Sequence, residues 1–139
     1  MSAGRGGSGA GEVNPGIVTG YVVTAWLFVA SVLVQAFLAG RGIYPGDRDL
    51  IDAHGIVANL VFLLAVANVI LAFLATKASQ QRGLFLGLSG LVLVLTVAQI
   101  AMGYAIEDNL DVGGWHILNG VLIMGLGTAH GVLALGNRR

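Results

Sequence analysis

Cysteine is missing from all 139 residues. Its absence excludes disulfides, thiolate-held zinc, iron–sulfur clusters and thioether-attached haem. Charge is scarce as well. Only 10% of residues are Asp, Glu, Lys or Arg, where a soluble domain carries about a quarter. Seven basic and seven acidic residues cancel, so the chain offers no net positive field to nucleic acid. Proline occurs twice, which leaves long stretches with nothing to interrupt a helix.

What fills the chain instead is apolar. Hydrophobic residues make up 56% of it, and the mean hydropathy is +0.85. Four runs, 17–40, 51–75, 84–106 and 113–135, each reach the roughly 20 residues that a helix needs to cross a hydrocarbon core. Polar breaks separate them: "RGIYPGDRD", "TKASQQRG" and "EDNLDVGG". Short connections put neighbouring helices antiparallel. Backbone that must satisfy its own hydrogen bonds in lipid is helical. The fold class expected is therefore an all-α membrane protein, a four-helix up-down transmembrane bundle over 17–139. Residues 1–16 are Gly/Ser-rich and are expected to form a flexible tail. No small-residue cleavage site follows the first apolar run, so that run reads as a span and not a signal peptide.

Charge sets the expected orientation. Arg5, Lys77, Arg82, Arg138 and Arg139 fall on one side of the bundle, and Arg41 and Arg48 on the other. Positive charge collects on the cytoplasmic side. Both termini are thus expected in the cytoplasm, and the acidic loop with Glu107, Asp108 and Asp111 outside. Trp26, Trp115, Tyr21, Tyr44 and Tyr104 are expected to anchor helix ends at the membrane surface.

The two halves of the chain resemble each other. "VLVQAFLAG" (32–40) and "LTVAQIAMG" (95–103) place Gln35 and Gln99 alike. A histidine follows each, His54 after 19 residues and His116 after 17, and an asparagine follows each histidine, Asn59 and Asn119. An internal two-helix repeat of this kind puts helices 2 and 4 parallel, with His54 and His116 at one depth.

Two neutral imidazoles facing each other across a bundle can hold a haem iron from both sides. Gly55, Gly113, Gly114 and Gly120 would make room beside them. Arg41 and Arg48 are the nearest cations for ionised propionates. Gln35, Gln99 and Asn119 would surround the pocket or bind helices together. A zinc site would need further ligands from Asp49, Asp52 or Asp111. His130, fourteen residues after His116, falls on the same inner face. Its counterpart after His54 is Asn68, not a usual iron ligand. One haem is therefore expected, with Asn68 and His130 hydrogen-bonded or lining a cavity.

These motifs, "VQAFLAG…DAHGIVANLV" and "AQIAMGY…WHILNGVLI", resemble one four-helix half of haem A synthase over residues 25–135. They are also similar to a family of small bacterial four-span membrane proteins with the same H-x-x-N signature, here His116 and Asn119. The resemblance implies haem held by a histidine pair near the outer ends of alternate helices. The chain departs from the synthase where that family has a glutamate, here Ile51 with Asp52 beside it. It also lacks the outer-loop cysteines and the second bundle. Those departures argue against oxidation of a haem methyl group by this chain alone.

The functional expectation is a bis-histidine b-type haem protein of the bacterial cytoplasmic membrane. It would serve electron transfer or haem handling as a carrier or accessory subunit, more than as a stand-alone enzyme. Membrane lipid, a second copy or a larger redox complex, and a quinone are the partners this implies. The alternative is a cofactor-free subunit whose polar residues only join helices. An enzyme acting on lipid or quinone would rest on Asp52 and Asp108.

Overall fold

A computed structural model of the chain describes residues 13–106 and 108–137. Four helices follow one another: α1 (Pro15–Ile43), α2 (Arg48–Ala75), α3 (Arg82–Ala105) and α4 (Val112–Gly136). Each is long and apolar enough to cross a membrane. They form the four-helix bundle expected, with every boundary within three residues of the expected one and the end of α2 at Ala75 coinciding with it. Most of the tail, together with Arg5, Glu107, Arg138 and Arg139, lies outside the described residues.

Local chemistry sets the helix ends. Pro15 supplies a fixed φ at the first position of α1, and the Asn14 side chain accepts from Gly16 N at 2.8 Å. Asp47 caps α2 by accepting from Asp49 N and Leu50 N. The turn between α1 and α2 closes through Gly46, whose φ of 73° suits only a residue without Cβ. The Asp47 N–H reaches back to the Gly42 carbonyl at 2.8 Å.

The helices pack in a ring. Each touches its two neighbours, α1 with α2 and α4, and α3 with α2 and α4, while α1 and α3 face across one diagonal and α2 and α4 across the other. Large apolar side chains such as Phe37, Leu63, Val94 and Val121 point outward, as lipid requires. One end of the bundle holds the 44–47 turn and the 106–111 connection; we call it the hairpin end. The other, the terminal end, holds the start of α1, the 76–81 connection and the end of α4.

The internal repeat extends through the packing. Tyr21, Ala25 and Phe28 are buried on α1, and Phe85, Ser89 and Val92 are buried at the matching places on α3. Val61, Ala65, Asn68 and Ala72 on α2 match Ile123, Gly127, His130 and Ala134 on α4, all buried. By this register the mate of Asn119 is Val57. Asn59, expected as that mate, is exposed and bonds only to the Gly55 carbonyl of its own helix.

Candidate functional site

The hairpin-end level. His54 stands six residues into α2 and His116 four residues into α4. The two helices are parallel diagonal partners, so the rings meet over the bundle axis. Their centroids are 6.4 Å apart and their planes are inclined by 57°. Both side chains are half-buried.

The imidazole of His54 is held from α1. Its Nδ1 lies 3.0 Å from the Gln35 main-chain oxygen. A carbonyl only accepts, so the proton sits on Nδ1 and the lone pair on Nε2. The Gln35 side-chain Nε2 in turn donates to the His54 carbonyl at 2.8 Å. One glutamine thus fixes both the ring and the backbone that carries it.

The other half places the same residue types alike but bonds them differently. The His116 Nδ1 is buried and unbonded, with the Gln99 main-chain carbonyl as its neighbouring acceptor. The Gln99 side chain does not reach the histidine backbone. Its Oε1 accepts from Asn119 Nδ2 at 2.7 Å, and the same Nδ2 donates to the Leu95 carbonyl at 2.9 Å. On the first half Val57 stands where Asn119 stands here, and Gln35 Oε1 is left buried without a donor.

Glycines matter here, though not mainly those expected. Gly55, Gly113 and Gly114 have open space where a Cβ would project. The close approaches are at Gly103 and Gly120. A Cβ on Gly103 would lie 3.4 Å from His116 Cε1, and one on Gly120 would lie 3.3 Å from Gln99 Nε2. The Gly103 contact would be an ordinary one, so α3 lies against the ring without needing a glycine there, while Gly120 lets α4 lie tightly against the glutamine.

Arg41 closes the last turn of α1 and Arg48 opens α2, both exposed at the hairpin end. Each lies six residues, about 9 Å of helix, from Gln35 or His54. Neither is part of the polar lattice around the rings. Among the described residues, no third His, Asp or Glu joins the pair in a metal-binding group. Asp49, Asp52 and Asp111 therefore do not assemble a zinc set.

The terminal-end level. His130 is buried, as is Asn68, but they are not bonded to each other. The His130 Nε2 is hydrogen-bonded to the Tyr21 hydroxyl, and Asn68 Oδ1 is buried without a partner. Tyr21 is wholly buried and packs edge-on against Phe85, its own repeat mate. It is a core residue and not a surface anchor. Trp26 is also drawn inward on one side, over Gly131 of α4. Tyr44, Tyr104 and Trp115 are exposed at the hairpin end. Sequence reading missed Tyr21 as the partner of His130. A signal existed: Tyr21 precedes Gln35 by the same fourteen residues that separate His116 from His130.

No family model, curated protein or solved structure matches this chain. The functional reading rests on the geometry of these two levels.

Proposed function

We propose that the chain is a haem-binding integral membrane protein in which His54 and His116 hold one b-type haem near the hairpin end. The observation that carries this reading is the imidazole pair. Two imidazoles that share one metal at about 2 Å from each nitrogen put their ring centres about 6 Å apart, close to the 6.4 Å separation here. The surroundings support it. A metal-binding histidine typically gives its other ring N–H to a carbonyl or carboxylate, which fixes tautomer and orientation. His54 does this toward Gln35, leaving Nε2 as its free lone pair. His116 has the Gln99 carbonyl in the corresponding place. Helix α3 lies against the His116 ring at Gly103.

When bound, haem supplies one-electron chemistry whose potential is set by its two imidazole ligands and their burial. The chain's own residues do the rest. Gln35 holds the His54 ring from α1, the Gln99 carbonyl neighbours the unbonded His116 Nδ1 from α3, and Asn119 holds Gln99. The exposed Arg41 and Arg48 stand at the membrane surface, where propionates would need cations. Under the positive-inside rule the hairpin end faces away from the cytoplasm. The role this fits is electron transfer or haem handling at the outer face of a bacterial cytoplasmic membrane, with a redox partner, a quinone or a second copy as the other party.

The test is colour. Full-length protein purified from haem-replete cells should show a Soret band and, when reduced, separate α and β bands. His54→Ala and His116→Ala should each abolish the spectrum, and His130→Ala should leave it. A folded, helical and colourless preparation overturns the proposal in favour of a cofactor-free subunit, whose glutamine, asparagine and histidine bonds serve only to join helices.

A further inference from the structure

Asn59 stands apart from the other polar side chains of the bundle. At about 100° per residue, Asn68 falls about 180° from it around α2, and His54 about 140°. Those two turn to the interior, Asn68 buried and His54 half-buried, while Asn59 is exposed. It therefore points directly away from the bundle. Ile56, Leu63 and Ile70 share that outer face, and all are exposed.

Depth makes the position unusual. Asn59 follows Asp52, the last charged residue before Lys77, by seven residues, so it lies about 10 Å deeper along the helix. The other end of α2, at Ala75, is about 24 Å away. A hydrocarbon core of about 30 Å fits between those levels, and an asparagine side chain is too short to reach either surface. Among the described residues, no other exposed Asn, Gln, His or charged side chain lies more than five residues inside a helix end.

A side-chain amide has two N–H donors and a carbonyl with two acceptor sites. The Asn59 Nδ2 donates to the Gly55 carbonyl of its own helix at 3.3 Å. The other N–H and the Oδ1 face lipid tails, which offer neither donor nor acceptor. Polar side chains at such depth pair with one another across helices.

We propose that this face of α2 is the interface between two copies of the chain, joined by reciprocal Asn59 hydrogen bonds. Depth selects a second copy. Two copies inserted the same way are related by an axis along the membrane normal, so their α2 helices run parallel and both Asn59 side chains meet at one level. Chemistry selects it as well. The amide is its own complement: each Nδ2 donates to the Oδ1 of the other, as a two-fold interface requires. The rest of the face is apolar, so it asks for no other group from a partner. A single asparagine in an apolar helix seam fixes register and pairing. His54 lies on the far side of α2, so pairing leaves the imidazole level untouched, and two such levels stand on one side of the membrane. The inference holds whatever the imidazoles bind.

The cysteine-free chain lets the interface be mapped in native membranes. On mild oxidation Leu63→Cys should form a disulfide-linked dimer. Val94→Cys on α3 and Val121→Cys on α4, at places no less exposed, should not. Adding Asn59→Leu to Leu63→Cys should suppress the link, and adding Asn59→Gln, which keeps the amide, should preserve it. In mild detergent, sedimentation equilibrium should give twice the chain mass for the wild type. Asn59→Leu should associate roughly tenfold more weakly, the loss of two hydrogen bonds of membrane-helix strength, with its helical signal unchanged. A wild type that is monomeric in both settings overturns the proposal. So does a dimer that Asn59→Leu leaves as tight, or one linked through Val94→Cys or Val121→Cys and not through Leu63→Cys. A foreign membrane subunit that co-purifies with an undoubled wild type and is lost in Asn59→Leu overturns it in favour of that subunit.

Discussion

Gln35 holds His54 twice, once through its main-chain oxygen at 3.0 Å from Nδ1 and once through its side-chain amide at 2.8 Å from the His54 carbonyl. The two bonds have different consequences. The ring is oriented by backbone, which no substitution at position 35 removes. The side-chain amide ties α1 to α2. Gln35→Leu should therefore leave the tautomer and orientation of His54 intact. It should cost about 0.6 kcal/mol, the average for a side-chain hydrogen bond between membrane helices. Haem content should match the wild type while the unfolding midpoint in mild detergent falls slightly. Loss of haem in Gln35→Leu without unfolding would mean that the side chain, and not the main chain, governs the site.

Asn119 presents the opposite case, because its side chain is the sole link. One Nδ2 group serves the Gln99 Oε1 and the Leu95 carbonyl together. Asn119→Leu removes both bonds and leaves the part-buried Gln99 Oε1 unpaired, at a cost of about 1–3 kcal/mol. Gln99→Leu in the same chain removes the stranded acceptor. The double variant should then be less destabilised than the sum of the two singles, as expected for residues in one network. Additive losses in a thermal-unfolding cycle would show that the pair does not act as a unit.

How much of this was legible in the sequence follows from what each feature depends on. The spans were legible because crossing lipid demands a length of apolar chain, and length is visible residue by residue. The His54/His116 meeting was legible because the repeat gave both the same depth and a parallel course. The partners of polar side chains were harder to read. Asn59 and Asn119 look alike in sequence, yet the offsets 5 and 3 after the histidine turn one to lipid and the other to the bundle. An aromatic near a helix end commonly anchors a membrane surface, which is the expectation for Tyr21. The packing of α1 on α4 turns it inward to His130. Gly55 and Gly103 likewise cannot be distinguished by composition, since what matters is which side chain lies opposite.

Helix approach gives a sharper test at Gly127. A Cβ there would lie 2.9 Å from Phe28 Cε1 and 3.2 Å from Phe28 Cδ1, and the aromatic ring is itself buried. Gly127→Ala should destabilise the bundle by about 1–3 kcal/mol through overpacking. Adding Phe28→Leu should recover part of the loss by vacating the space. Gly55→Ala is the control: a Cβ there meets nothing, and alanine is the better helix former by about 1 kcal/mol. Detergent unfolding should rank Gly55→Ala at or above wild type and Gly127→Ala well below it. Equal midpoints for the two variants would contradict the packing of α1 on α4.

The absence of native cysteine makes the orientation directly measurable. Tyr44 is 92% exposed at the hairpin end, and Lys77 is exposed in the connection at the terminal end. Among the described residues, Arg41 and Arg48 lie at the hairpin end and Lys77 and Arg82 at the terminal end; the expected topology adds Arg5, Arg138 and Arg139 of the sequence to the terminal side. The proposed orientation, with Lys and Arg retained in the cytoplasm, would put Tyr44 outside and Lys77 inside. In intact cells a membrane-impermeant maleimide should label Tyr44→Cys and spare Lys77→Cys, and both should react once the membrane is dissolved. Neither position contacts the imidazole pair, so each variant should keep the wild-type absorption spectrum. The reverse labelling pattern would place the His54/His116 level beneath the cytoplasmic surface and require a cytoplasmic partner for its redox chemistry.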